Sequence, residues 1–323
     1  MKAIVQHTYG PPEILEFRDI DAPVAGDDEV LVQVQAAGVD PGVWHQMSGL
    51  PYLMRFIGFG LRAPKVPVRG RDVAGRVAAV GKNVTSLRPG DEVFGICEGS
   101  FAEYACAPAD RFVPKPANLT FEQAAAVPIS GITALQSLRD CGKVQQGQRV
   151  LIIGAGGGIG SFAVQLAKAF GADVTGVCST SKLDLVRGLG ADDVIDYTRE
   201  DFTDGTHRYD IVLDTAGNRP LTRLRRTLAP RGTLVIVGSE GAGNWLGGID
   251  RVLRATLLSP FVGQQLRGQL TKERMDDLRT LRELIEDGRL MPLLDRTFPL
   301  SEAADAVRYV HNGHSRGKVV VTV

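Results

Sequence analysis

The sequence predicts an α/β fold: a doubly wound parallel sheet in the middle of the chain, flanked in sequence by the parts of a β-rich domain. Three observations predict it. Between residues 125 and 265, short apolar runs without polar alternation are separated by stretches of helical spacing, the pattern of strands covered on both faces. One run, Val150-Leu151-Ile152-Ile153, ends in a glycine-rich turn that feeds a helical segment. Before residue 124 the strands are short and punctuated by Gly and Pro, as in a partly open barrel or sandwich. A chain of 323 residues has room for two such cores.

Taken in order, the chain opens on Met1-Lys2-Ala3-Ile4-Val5, which alternates like a strand and breaks at Gly10-Pro11-Pro12. Residues 31–35 alternate apolar and polar, as a half-buried strand does. Residues 73–80, 91–95 and 101–105 are further strands. Residues 44–67 differ: Trp44, Tyr52, Met54, Phe56 and Phe59 recur with weak periodicity among glycines, the pattern of an apolar loop or short helices. Such a segment lines a pocket or simply packs.

At Thr120-Phe121-Glu122-Gln123 a capping-box spacing starts a helix. Strands follow at 150–153, 174–178, 194–197, 211–214 and 234–237, with helical segments at 162–170, 183–189 and 221–228. Residues 272–286 form a charged amphipathic helix. The pieces after it (293–298, 303–311 and 319–323) are too few for a third core and complete the first. The expected division is therefore 1–124 with 266–323, and 125–265 between them.

The turn assigns the central domain a ligand. Amides at the start of a helix face outward with partial positive charge and hold a pyrophosphate. Gly154, Gly156, Gly157, Gly158, Ile159 and Gly160 form that turn. Ala155, Gly157 and Gly160 meet the G-x-G-x-x-G spacing with alanine first, and Gly154, Gly157 and Gly160 make a second triplet. Any βα unit can carry such a turn, so the surrounding sheet pattern is what makes a dinucleotide the reading. In this fold an acid at the end of the second strand accepts the ribose 2′-hydroxyl of NAD. Here that strand runs into Cys178-Ser179-Thr180-Ser181-Lys182, which has no acid. Ser179, Thr180 and Lys182 suit a 2′-phosphate, so the expected cofactor is NADP(H). A helix cap at Ser179 or Ser181 is the other reading. Thr215 and Ala216, and Val237, Gly238 and Ser239, are small or polar strand ends that line the same crevice. Tyr197 covers the adenine or reaches a phosphate, unless it is a packed surface tyrosine.

Composition excludes several classes. The 37 basic and 37 acidic residues balance, so nothing favours nucleic acid. Cys97, Cys106, Cys141 and Cys178 form no C-x-x-C pair and read as free thiols of a reducing, cytoplasmic setting. No apolar run reaches the length of a membrane span, and the first residues lack the apolar run of a secretory signal.

Several motifs in one order resemble the medium-chain dehydrogenase/reductase superfamily, and within it the zinc-independent quinone oxidoreductase group. They are Ala37-Gly38-Val39-Asp40-Pro41, Gly70-Arg71-Asp72-Val73-Ala74-Gly75, Gly90-Asp91-Glu92-Val93-Phe94-Gly95, Gly99-Ser100-Phe101-Ala102-Glu103-Tyr104, Ser130-Gly131-Ile132-Thr133-Ala134, the glycine turn, and Gly313-His314-Ser315-Arg316-Gly317-Lys318-Val319. The resemblance covers the whole chain. It implies a Rossmann domain inserted in a GroES-like barrel built from both chain ends, a homodimer through the Rossmann sheet edge, and NADPH-dependent reduction of a quinone, enone or enal.

The resemblance also implies roles. Alcohol dehydrogenases of the superfamily bind catalytic zinc at the positions held here by Asp40, Arg71 and Asp72, and Arg71 is no zinc ligand. Their structural lobe of four cysteines has only Cys97 as a counterpart. The expectation is therefore no metal. Asp40 stands where the quinone reductases often carry asparagine; it acts on the substrate oxygen or is a turn residue before Pro41. His45 lies where the group often has a substrate-facing tyrosine, as acid or donor. Trp44 and Tyr52 would stack on a flat substrate. Thr133 would lie near the nicotinamide, Phe261 and Val262 would cover it, and Phe261 would also border the substrate. Lys318, as a cofactor contact, and Arg316 would stand near the cleft or be surface charges. Without a Lewis acid, an acceptor that spreads hydride charge onto its own oxygen is the tractable substrate. The rival reading is an NADPH-binding scaffold with little turnover, motivated by Asp40.

Overall fold

The computed structural model describes residues 1–238, 243–313 and 315–323; Ser239 and His314 lie outside the described residues. The chain divides into two compact units. Unit 1 comprises Met1–Ser130, Glu273–Gly288 and Pro292–Val323, and unit 2 comprises Gly131–Lys272 and Arg289–Met291.

Unit 2 holds a six-stranded sheet, every pairing in it parallel. Across the sheet the strands run Asp193–Asp196, Asp173–Cys178, Arg149–Ile153, Tyr209–Asp214, Leu228–Ile236 and Gln265–Gly268. Numbered by sequence, that is 3-2-1-4-5-6, the doubly wound dinucleotide-binding order, with the direction of winding reversing beside the first strand. Arg149–Ile153 lies there, and four of its five residues are buried. Leu151, Val212, Leu234 and Leu266 join one apolar cluster with Leu224, Leu228 and Ala255.

Unit 1 is built from both chain ends. Its larger sheet has the path Leu294–Pro299, Lys318–Thr322, Glu29–Val39, Asp72–Val80, Glu92–Ile96 and Phe112–Pro114, and Tyr104–Pro108 also pairs Glu29–Val39. The C-terminal strand Lys318–Thr322 is antiparallel to Glu29–Val39 and parallel to Leu294–Pro299. Register shifts in the pairing of Glu29–Val39 with Asp72–Val80 mark bulges that bend this sheet around Val30, Val32, Val34, Phe101, Val307 and Val319.

The units part at 130/131 and 272/273, later than the expected 124/125 and 265/266. The reason at the second junction is Gln265–Gly268, which pairs Leu228–Ile236 and is the sixth strand of the parallel sheet. Only one of its four residues is buried, so it carries no apolar run to be read. The helix Ile249–Leu258 before it was not expected either. The expected helix at 221–228 is one short turn, Leu221–Leu224, with a tighter turn Arg225–Thr227 before the strand at Leu228. The strand expected at 101–105 lies at Tyr104–Pro108.

Candidate functional site

In unit 2 the carboxyl ends of the strands meet at the glycine turn. Gly154 has a left-handed backbone, φ +81°, and a Cβ there would stand 2.5 Å from Thr215 Oγ1. A Cβ on Gly160 would stand 2.1 Å from the Gly154 carbonyl oxygen, so only glycine lets helix Gly158–Ala169 start against the turn. The Gly154 and Ala155 amides donate to the Val177 carbonyl at 3.0 and 3.1 Å, tying the turn to the second strand. Thr215 Oγ1 donates to the Ile153 carbonyl at 2.7 Å. The Val237 and Gly238 amides donate to the Asp214 carbonyl at 2.9 and 3.1 Å, and a Cβ on Gly238 would lie 1.9 Å from the Thr215 carbonyl oxygen. The structure thus brings together the turn, Thr215, Ala216, Val237 and Gly238. The first-turn amides from Gly158 to Gly160 have no acceptor within their own helix. The glycine cradle fits a pyrophosphate.

The second strand end is arranged differently from the expectation in one respect. Lys182 packs over the turn: a Cβ on Gly156 would meet its Cδ at 2.8 Å. Thr180, expected to donate to a phosphate, donates instead to Asp196 Oδ2, at the end of the third strand. Asp196 Oδ1 accepts from the Thr198 hydroxyl at 2.7 Å and the Thr198 amide at 3.0 Å. The Thr180 and Thr198 bonds hold the Asp196 carboxyl below its ordinary range. An acid therefore stands beside the second strand after all, supplied by the third and engaged by protein donors. The Tyr197 amide donates to the Cys178 carbonyl at 3.2 Å, and its ring is half exposed.

Phe261 and Val262 lie at the wrong end of the sheet for a nicotinamide. They precede strand Gln265–Gly268, which runs parallel to its neighbour, so they stand at the amino ends of the strands, opposite the glycine turn. Gln264 confirms the level by exchanging hydrogen bonds with Arg225, just before Leu228–Ile236. The chain that emerges at the carboxyl edge is 269–272, which sequence reasoning missed. There the Gln269 amide donates to the Ile236 carbonyl at 2.8 Å, Thr271 Oγ1 lies 2.8 Å from Thr133 Oγ1, and Gln136 bonds both the amide and carbonyl of Lys272. Thr133 is thus buried at this edge.

In unit 1, Asp40 caps helix Pro41–Ser48: its Oδ1 accepts the Gly42 amide at 2.6 Å. The residue is 5 % exposed, and its buried Oδ2 has no hydrogen-bond partner. Close to it lies a cluster of fixed charges. Lys318, 2 % exposed, donates to Ser130 Oγ at 3.0 Å and pairs with Asp72 Oδ2 at 3.4 Å. Asp72 Oδ1 accepts the Ile129 amide at 2.9 Å. Arg71 is bound by Glu273 and, at 2.9 Å, by Glu98. Lys318 is therefore an internal counter-ion, not a cofactor contact; nothing in its sequence neighbourhood showed that its partner would be Asp72. Burial pushes the Asp72 carboxyl up to about 6, with Lys318 opposing the rise and Asp40 adding to it.

The aromatic expectations change too. Trp44 stacks flat on His311, centroids 3.4 Å apart, on the side of helix Ala303–His311. His45 is exposed, and its Nδ1 contacts the Leu50 carbonyl at 3.0 Å. Tyr52 carries the Arg55 guanidinium over its ring at 4.9 Å. A ring face of Trp44 and one of Tyr52 are thus taken by protein side chains.

Comparison with known proteins decides the family. A model described as alcohol dehydrogenase GroES-like domain matches residues 26–117, and one described as zinc-binding dehydrogenase matches 189–321. Human quinone oxidoreductase is 32 % identical over 336 residues, covering 99 % of this chain and 97 % of its own. The chloroplastic NADPH-dependent alkenal/one oxidoreductase of Arabidopsis thaliana is 33 % identical over 347 residues, covering 99 % and 79 %. The solved quinone oxidoreductase of Coxiella burnetii superposes with a TM-score of 0.87 at 31 % identity, covering 100 % and 99 %. The chain belongs to the medium-chain dehydrogenase/reductase superfamily. It is an oxidoreductase of the quinone oxidoreductase group, with the superfamily's GroES-like domain in unit 1 and its Rossmann domain in unit 2.

One superfamily model carries zinc in its description, and the donor set here does not fit it. Of the three resembling positions, Arg71 is a guanidinium held by two carboxylates, Asp72 is spent on an ammonium and an amide, and only Asp40 has a spare oxygen. Cys97 is buried, its thiol pushed up to about 12 by burial, and it donates to the carbonyls of Glu98 and Cys106. Among the described residues no group of three or more His, Cys, Asp and Glu side chains is placed to hold a metal.

The Asp72–Lys318 pair yields a prediction. Removing the ammonium strands the buried Asp72 charge, so Lys318→Met alone lowers unfolding stability by about 3–5 kcal/mol, while Lys318→Met/Asp72→Asn loses less than the sum of the two single variants. Additive losses in urea melts would contradict the pairing. The folded protein binds the Asp72 proton more readily than the unfolded chain, whose value is near 3.8. The contribution of this group therefore declines as pH rises from 3.8 towards about 6. Across that window the melting temperature of Asp72→Asn rises relative to that of wild type.

Proposed function

We propose that this enzyme transfers hydride from NADPH to a quinone or to the β-carbon of an α,β-unsaturated carbonyl, without a metal. The observation that carries the reading is a glycine cradle for a dinucleotide in one unit, together with a fixed cation, Arg71, in the other at a position where the zinc-dependent members of the superfamily need a ligand. The relatives named for quinone and for alkenal reduction support the acceptor class.

NADPH supplies the hydride when bound; the chain's residues hold and select it. The amides from Gly158 to Gly160 take the pyrophosphate. Lys182 and Ser179, with Tyr197, take the 2′-phosphate, and Lys182 is already laid over Gly156. Asp196 does not mimic the ribose-binding acid of NAD enzymes, because both its oxygens accept from Thr180 or Thr198. Thr215, Ala216, Val237 and Gly238 wall the crevice, and the strapped segment 269–272, with Thr133, replaces Phe261 and Val262 at the nicotinamide end.

Asp40 is the residue on which catalysis and the scaffold reading divide. Its capping oxygen is committed, and the other meets no donor. A carboxylate there opposes negative charge growing on a substrate oxygen. An asparagine keeps the cap and puts an N–H₂ donor in place of Oδ2.

Three outcomes are expected. Purified protein consumes NADPH with phenanthrenequinone or 2-alkenals, and chelators leave the rate unchanged; NADPH binding with no turnover across a broad electrophile panel would establish the scaffold instead. Lys182→Ala raises the NADPH dissociation constant about tenfold, the loss of one charged hydrogen bond, and leaves NADH within about twofold; equal wild-type affinities for the two would sink the 2′-phosphate assignment. Asp40→Asn raises kcat for enone reduction with an unchanged melting temperature, and a lower kcat would show that the carboxyl itself serves the reaction.

A further inference from the structure

Residues 41–71 contain Arg55, Arg62, Lys65, Arg69 and Arg71 but no Asp or Glu. At the average density of the chain, 37 acids in 323 residues, about three or four would be expected. Within this stretch the structure raises an apolar hump. A wide helical turn, Arg55–Phe59, leaves Phe56 70 % exposed and Ile57 66 % exposed, and Leu61 beyond it is 58 % exposed. Arg62 and Lys65, both exposed, flank the tip.

The hump is held in this shape. Arg55 lies over the rings of Tyr9 at 4.3 Å and Tyr52 at 4.9 Å, and donates to the carbonyls of Gly49 at 2.8 Å and Ser48 at 3.2 Å. The Tyr9 hydroxyl donates to the Gly60 carbonyl at 2.6 Å, and the Lys65 amide to the Phe59 carbonyl at 2.9 Å. Both ends of the turn are pinned, so its apolar side chains face water by construction and little order remains to be gained on docking.

We propose that residues 56–65 are a docking tip for an anionic lipid bilayer, with Phe56, Ile57 and Leu61 entering the interface and Arg62 and Lys65 lying at the headgroups. Stable attachment to a membrane surface takes two signals, apolar insertion and a basic patch, and the tip carries both. Charge separates this tip from the exposed leucines of helix Ile249–Leu258. Leu253 and Leu257 lie on helix Ile249–Leu258, which also carries Asp250 paired with Arg254, a mixed-sign surface. The tip has basic residues alone. Unlike a spanning protein, the chain has among its described residues no helix long and apolar enough to cross a membrane, so docking is peripheral.

The test is cosedimentation of the full chain with vesicles of phosphatidylcholine alone or mixed with phosphatidylglycerol. The expected partition into mixed vesicles is about tenfold or more above neutral ones, since each basic side chain near an anionic surface adds about fivefold. High salt and Arg62→Gln/Lys65→Gln each lower it about tenfold or more. Phe56→Ser/Ile57→Ser lowers it as well, with net charge unchanged, and Leu253→Ser/Leu257→Ser does not. Melting temperatures check that the variants fold. No binding, equal binding to both vesicles, or wild-type binding by Phe56→Ser/Ile57→Ser overturns the proposal. So does self-association without lipid that Phe56→Ser/Ile57→Ser abolishes, which would make a second copy the occupant.

Discussion

The buried ion pair between Lys318 and Asp72 is the constraint from which unit 1 follows. A buried ammonium is tolerated only with a counter-charge and hydrogen bonds. Lys318 finds them in Asp72 and Ser130, and Asp72 takes the Ile129 amide as well. Three distant stretches are thereby fixed: the strand that ends the chain, the start of Asp72–Val80, and the approach to helix Pro128–Gln136. Antiparallel pairing of Lys318–Thr322 with Glu29–Val39 then follows, and with it the closing of one core from both chain ends.

Legibility in the sequence tracked how much each element depends on its own residues. The inner strands at 150–153 and 211–214 were readable because burial on both faces makes them apolar throughout. The edge strand Gln265–Gly268 was not, since backbone pairing rather than side-chain burial makes it a strand. That single omission moved the domain boundary and put Phe261 and Val262 at the wrong end of the sheet. Glycine positions were legible because close approach leaves no alternative residue; Gly154 and Gly160 are cases of it. Partnerships across the fold were not. The absence of an acid after Cys178 was visible, but the arrival of Asp196 from the next strand, and its capture of Thr180, was not. Trp44 and Tyr52 were expected to stack on a substrate, yet which way a ring faces depends on His311 and Arg55, and no spacing rule encodes that.

The charges around Asp40 bear on the chemistry through their saturation. Arg71 shares Glu98 and Glu273, and Arg111 also reaches Glu273 at 3.1 Å. Lys318 is matched by Asp72. Each cation is thus neutralised locally and has little field left to polarise a substrate carbonyl, in contrast to a metal ion with an open coordination position. On the proposed function, an acceptor bound beside these charges must bring its own electrophilicity. Quinones and enones do so, because hydride arriving at carbon leaves its charge on an oxygen already conjugated to that carbon. A simple ketone places the whole charge on one alkoxide and needs an external acid at the moment of transfer. On that proposal Asp40 is the residue that tunes the reaction, because among the carboxylates of this cluster it alone keeps a buried oxygen with no donor.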